Sequence, residues 1–103
     1  MIEVAQAGVT GTYLDSVARD FITEAGYGDA FGHSTGHGIG MEIHEGHNIS
    51  RSNEDTLNVG NVITDEPGIY IAGLGGVRIE DDLVILADGN RILTQSPKEL
   101  IIL

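Results

Sequence analysis

The chain has no cysteine. That excludes disulfide staples and thiolate metal ligands, and it suits a reducing compartment, so a cytoplasmic location is expected. No apolar run approaches the ~18 residues that would suggest a membrane-spanning helix. The opening MIEVAQAGVT lacks the basic-then-apolar order of a secretory leader. Basic residues are scarce, 5 Lys and Arg against 16 Asp and Glu, for a formal net charge of -11. A field of that sign repels phosphate backbones, so no nucleic-acid partner is expected, and it favours cations. For most of those charges a soluble acidic surface is the better account. The length of 103 residues and the 41 % hydrophobic content suffice for one domain with a modest core.

What the chain does have is glycine, 15 residues, concentrated at Gly26–Gly40 and Gly68–Gly76. Such clusters allow tight turns and close backbone approach. The first of them runs into His33–Glu45, HSTGHGIGMEIHE, which holds three of the four histidines and two glutamates. Two later stretches bring carboxylates beside apolar segments: Thr64-Asp65-Glu66-Pro67-Gly68 and Val77-Arg78-Ile79-Glu80-Asp81. Imidazole and carboxylate together are the donors of an oxygen-rich metal site.

Taken in order, residues 1–8 read as a short helix broken at Gly8. Thr10 is positioned to cap a helix running to about Ala25, with Gly26 as its C′ residue. Leu14, Val17, Ala18, Phe21, Ile22 and Ala25 form one apolar face, with Asp15, Arg19, Asp20 and Glu24 on the other. Tyr27–Phe31 reads as a loop, 32–45 as extended chain and 46–58 as a polar loop. Strands are expected at Asn61–Glu66, Ile69–Ala72, Val77–Leu86 and Arg91–Thr94. Turns are expected at Gly73–Gly76 and Ala87–Asn90, and a last helical turn at Ser96–Leu100. The class is α+β, helices first and a curved antiparallel sheet after them.

Extended chain puts alternate residues on one face, so His33, Thr35 and His37 are expected to point the same way. Glu80 shares its face with Arg78 and Asp82. Singly, each histidine reads first as a structural residue and Glu66 equally as a strand-end carboxylate, while a solvated face residue is the lesser reading of Glu80. Their joint density is what points to a metal site.

His33–Glu45, Glu66-Pro67-Gly68-Ile69-Tyr70 and Gly75–Asp81, with the ending Thr94–Leu100, resemble the signature blocks of the pita-bread metallopeptidases. These are the Xaa-Pro dipeptidase (prolidase) and aminopeptidase P group. The resemblance covers nearly the whole chain. It implies the C-terminal half of a pita-bread catalytic domain, with residues 1–103 as one partial domain. It also implies hydrolysis of the peptide bond before proline by two divalent metals sharing a bridging water or hydroxide. His37 and Glu66 would bind one metal and Glu80 would bridge both, with Mn²⁺ favoured and Co²⁺, Zn²⁺ or Fe²⁺ as alternatives. His44 would stabilise the oxyanion, Glu66 would shuttle a proton, His33 would line the proline-side pocket, and Tyr70 and Arg78 would orient ligands or substrate.

Two departures accompany the resemblance. The group's two aspartate ligands belong to an upstream half with no counterpart between Met1 and Phe31. The chain alone is therefore expected to be inactive and to expose an apolar face, covered by that half or by a second copy in a two-fold dimer. Where many prolidases carry Pro-Arg, this chain has His47-Asn48; Arg51 lies nearby but does not match by position. That opens an aminopeptidase-like preference beside a dipeptidase one. The alternatives are a non-catalytic binding module on the same fold and a creatinase-like, metal-independent hydrolase.

Overall fold

The computed structural model describes residues 1–39 and 48–100. Helix α1, Gly11–Glu24, begins where the sequence places its cap: Thr10 accepts a hydrogen bond from the Tyr13 amide at 3.0 Å. It ends in a Schellman turn. Gly26, at φ +96°, donates to the Thr23 carbonyl at 3.0 Å, and Tyr27 donates to that of Ile22 at 3.1 Å. Thr10→Ala is expected to remove about 1 kcal/mol. The melting temperature of the chain would then drop by about 4–8 °C in a thermal scan.

Leu14 and Ala18 enter the core, but Phe21 stays 75 % exposed, so the apolar stripe extends beyond what the chain covers. The opposite side departs from expectation. Asp15 is fully buried and the Arg19 side chain is 15 % exposed, so neither belongs to a solvated face. Residues 1–8 form only a 3₁₀ turn at Ile2–Val4, and Gly28–Ala30 form another inside the expected loop.

Among the described residues, five strands follow: β1 Val62–Asp65, β2 Gly68–Ile71, β3 Gly75–Arg78, β4 Asp81–Leu86 and β5 Gly89–Ile92. They make two antiparallel sheets, β1-β4-β5 and β2-β3. Ile63 pairs with Leu83, and both are buried with Ile85, Ile49, Leu57, Leu14 and Ala5 in one core between sheet and helix. The N-terminal segment is tied to β5 by Asn90, whose amide donates to the carbonyls of Ile2 at 2.7 Å and Ala5 at 2.9 Å.

The expected single strand Val77–Leu86 is two strands in different sheets. Asp65 pairs with Asp81 and Gly68 with Arg78, leaving Glu66-Pro67 opposite Ile79-Glu80. Pro67 has no amide hydrogen to complete the ladder, and the Glu66 amide instead donates to the Thr35 carbonyl at 2.7 Å. The apolar positions keep the same phase on both sides of the gap, Val77 and Ile79 before it and Leu83 and Ile85 after it, with Asp81 the one interruption, so the pattern does not reveal the change of sheet.

Other boundaries shift too. The β2-β3 turn is Ala72–Leu74, with Gly75 and Gly76 inside β3, and the β4-β5 turn tightens to Ala87-Asp88. No helical turn forms at Ser96–Leu100; instead Lys98 reaches back to Asp81 at 2.9 Å. The described part of the expected 32–45 extension makes isolated bridges, Gly36 with Ile49 and Gly38 with Ile63, and no regular strand.

Candidate metal centre

The site forms where the His33–Ile39 segment crosses the end of β1. The Thr64 amide donates to the His37 carbonyl at 2.8 Å, and the His37 amide donates to the Thr64 hydroxyl at 3.0 Å. With the Glu66–Thr35 bond, these fix His37 and Glu66 side by side. Gly36 permits the approach, because a Cβ there would fall within the Thr64 carbonyl oxygen.

His37 Nδ1 lies 2.9 Å from the Gly38 carbonyl oxygen. Donation to that oxygen orients the ring and turns Nε2 toward Glu66, as a backbone carbonyl often does for metal-binding histidines. Nε2 lies 3.4 Å from Glu66 Oε1. The break in the ladder sets Glu80 against Glu66. Its carboxyl is pushed above the usual range, first by burial, then by a hydrogen bond shared with Glu66 and by the Glu66 charge, while Arg78 and His37 pull it down. Asp82 is raised as well, by burial and then by the Glu80 charge.

Two carboxylates held together beside an imidazole fit a divalent cation chemically, since a cation relieves their repulsion. They supply one side of a site only. Among the described residues, no three His, Asp or Glu groups are gathered closely enough to hold an ion unaided.

The cleft beside these groups has a volume of about 430 Å³ and is bordered by His33, Gly36, His37, Asn48, Glu66 and Arg78, with Ser34 at its edge. The expected common face of His33, Thr35 and His37 is not found. Thr35 turns inward and is buried, its hydroxyl 2.8 Å from Asp15, because the segment follows the helix and the end of β1 rather than a strand pleat. His33 packs between Phe31 and Tyr70, with ring centroids at 5.3 and 5.4 Å. Gly68 makes room for them: a Cβ there would lie 2.8 Å from the Tyr70 hydroxyl and 3.0 Å from His33 Nε2. His44 lies outside the described residues.

Asp65 points away from this cleft into an apolar recess lined by Phe21, Ile22, Ile69, Val77 and Ile79. Its Oδ1 is buried without a hydrogen-bond partner. Burial, the largest influence, pushes its carboxyl up to about 6, with Asp81 adding and the N-terminal ammonium opposing. Replacing an orphaned buried polar group by a β-branched residue in a strand is favourable. Asp65→Val is expected to stabilise the chain by about 1 kcal/mol, seen as a raised urea midpoint with an unchanged m-value.

Sequence reading missed Asp15 and Arg19, the buried pair behind the site, and also Ser34 and Asn48 on its rim. The i, i+4 spacing of Asp15 and Arg19 was the available signal.

The site is thus an imidazole and two glutamates set at a break in the ladder of an antiparallel α+β unit. The sequence model of metallopeptidase family M24 matches residues 1–87, and the chain belongs to that family. A Xaa-Pro dipeptidase of Pyrococcus furiosus is 54 % identical over 100 residues, 97 % of this chain and 29 % of its own length. Among solved structures, a Xaa-Pro dipeptidase from Bacillus anthracis superposes with a TM-score of 0.97 at 55 % identity, covering 99 % of this chain and 29 % of that one. An X-Pro aminopeptidase from Thermotoga maritima gives a TM-score of 0.96 at 53 % identity, again 99 % against 29 %. The fold is thus the C-terminal part of the pita-bread architecture, and the chain spans under a third of the relatives it matches. Among the described residues, no helix is long and apolar enough to cross a membrane.

Proposed function

We propose that residues 1–103 are one partial catalytic domain contributing half of the dinuclear centre of a cytoplasmic Xaa-Pro metallopeptidase. The observation that carries this reading is the ladder break that sets Glu66 and Glu80 against each other beside His37 Nε2. His37 and Glu66 would hold one divalent cation and Glu80 would be shared with a second, with Mn²⁺ preferred and Co²⁺, Zn²⁺ or Fe²⁺ able to substitute. When bound, the cations supply Lewis acidity at the scissile peptide. Glu66 carries a proton to the leaving nitrogen, and His44 donates a hydrogen bond to the carbonyl oxygen. His33, Tyr70 and Arg78 orient a peptide with proline at its second position, as a dipeptide or at the start of a longer chain.

The chain spans 29 % of the Bacillus anthracis enzyme; on this reading the activity belongs to a longer polypeptide, and the chain alone is expected to be inactive. The test is a graft of residues 1–100 into the matching segment of that enzyme. Retained Mn²⁺-dependent Xaa-Pro hydrolysis, lost on His37→Ala in the graft, is the expected result. A folded but inactive graft would favour a non-catalytic module.

The recess beside α1 and the exposed Phe21, Leu74, Val77 and Ile79 form the face that the remaining polypeptide covers in the longer protein. Alone, the chain is expected to bury that face in a two-fold dimer. Light scattering should give twice the 10.9 kDa chain mass, and Val77→Asp should give the single mass. A wild-type monomer that binds no hydrophobic dye would refute the exposed-face reading.

A further inference from the structure

We infer that the buried Asp15–Arg19 pair of α1 is the positioning element of the candidate metal centre, holding the His33–His37 segment so that His37 and Glu66 face one another; the inference rests on the metal-site reading above. A fully buried carboxylate is costly unless paired and hydrogen-bonded, and an apolar pair of similar volume often packs as stably. What this pair provides is direction. The Arg19 fork meets Asp15 twice, Nε to Oδ2 at 2.9 Å and Nη2 to Oδ1 at 3.2 Å. Its other donors leave the helix: Nη1 reaches the Phe31 carbonyl at 2.9 Å and Nη2 the His33 carbonyl at 3.0 Å. The guanidinium lies 4.2 Å above the centre of the Phe31 ring, whose edge contact orients His33. Asp15 Oδ1 accepts from the Thr35 hydroxyl at 2.8 Å and from the Thr35 amide at 3.2 Å.

Residues 31, 33 and 35 are thus gripped in turn, and the next alternate residue is His37. From Thr35 a single bond reaches the other donor, because its carbonyl accepts the Glu66 amide at 2.7 Å. The helix therefore acts on both ligand candidates through one residue. Arg19 serves through its planar fork, which an ammonium cannot reproduce.

The test compares Arg19→Lys, Thr35→Val and Thr35→Ser in the metal-free chain by amide hydrogen exchange and by the ring ¹⁵N shifts of His37. The Glu66 amide in Arg19→Lys and Thr35→Val is expected to exchange at least 10-fold faster than in wild type. Their His37 ring shifts should move toward those of averaged tautomers. The Ile85 amide, bonded to the Asn61 carbonyl in the main sheet, should stay within twofold. Thr35→Ser keeps the hydroxyl and should restore wild-type values at Glu66 and His37. Mn²⁺ affinity in the two disrupting variants should fall about 10- to 100-fold, the range seen when partners behind metal ligands are removed.

Unchanged Glu66 and His37 signals would overturn the inference, as would equal loss of protection at Glu66 and Ile85, which marks a merely structural pair. If Arg19→Lys fails to fold, the Thr35 pair decides. If wild type binds no Mn²⁺, the metal reading fails for this chain, while the exchange comparison still judges the positioning role.

Discussion

Replacing His37 or Glu80 by alanine is expected to abolish saturable Mn²⁺ binding, with a loss exceeding about 100-fold in each variant. Removing groups that merely support a metal ligand costs about 10–100-fold, so removing the ligand itself costs more. His37 is suited to the part because its Nδ1 is committed to the Gly38 carbonyl, which aims Nε2 at Glu66. Glu80 is suited for a different reason. Its carboxyl is set against the Glu66 charge, a repulsion that a cation relieves. The two variants therefore share a binding defect without sharing a folding defect. Metal-free Glu80→Ala removes a like-charge contact and should melt no lower than wild type. Calorimetric titration into the metal-free chain checks both. Binding in wild type is expected to be saturable but weak, since the described residues close only one side of a site. Equal heats in wild type and both variants would mean that Mn²⁺ merely condenses on a surface of net charge -11, and the site would be lost with it.

The sequence announced the helix because its ends are local chemistry. The Thr10 hydroxyl and the Gly26 backbone are each satisfied within a few residues, so no tertiary information is needed. The three ligand candidates came from the family resemblance; the structure sets His37 and Glu66 on one cleft, and the Glu80 carboxyl lies against Glu66. What stayed hidden was non-local. The break opposite Pro67 was masked because Val77 and Ile79 before it and Leu83 and Ile85 after it share one phase, with Asp81 the one interruption. Only the pairing partner changes there, from β2 to β1. Asp15 looked like the polar side of an amphipathic helix, because its partners at Thr35 lie 20 residues away. The inward turn of Thr35 was hidden for the same reason: extended chain outside a sheet has no pleat to set its faces.

The second large effect concerns backbone contact rather than a side chain. Gly36→Ala is expected to destabilise the chain by more than about 3 kcal/mol, the upper part of what overpacking costs. A stability of roughly 5–15 kcal/mol for the whole domain makes that a major loss. The added methyl would fall within the Thr64 carbonyl oxygen and lie 2.7 Å from its carbon, and both are backbone atoms that cannot rotate away. Retreat of the segment is blocked on its other side. Gly36 exchanges hydrogen bonds with Ile49 at 2.8 and 3.2 Å, and its neighbour Thr35 is held by Asp15 and by the Glu66 amide. The strain must then open the Thr64–His37 bonds that place His37 beside Glu66. Gly32→Ala is the control, since a Cβ there meets nothing within 4 Å; it should stay within about 0.5 kcal/mol of wild type. Urea unfolding of the three proteins gives the comparison. Gly36→Ala unfolding near the wild-type midpoint would show that the segment yields, and the close approach at Gly36 would no longer explain how His37 and Glu66 are held together.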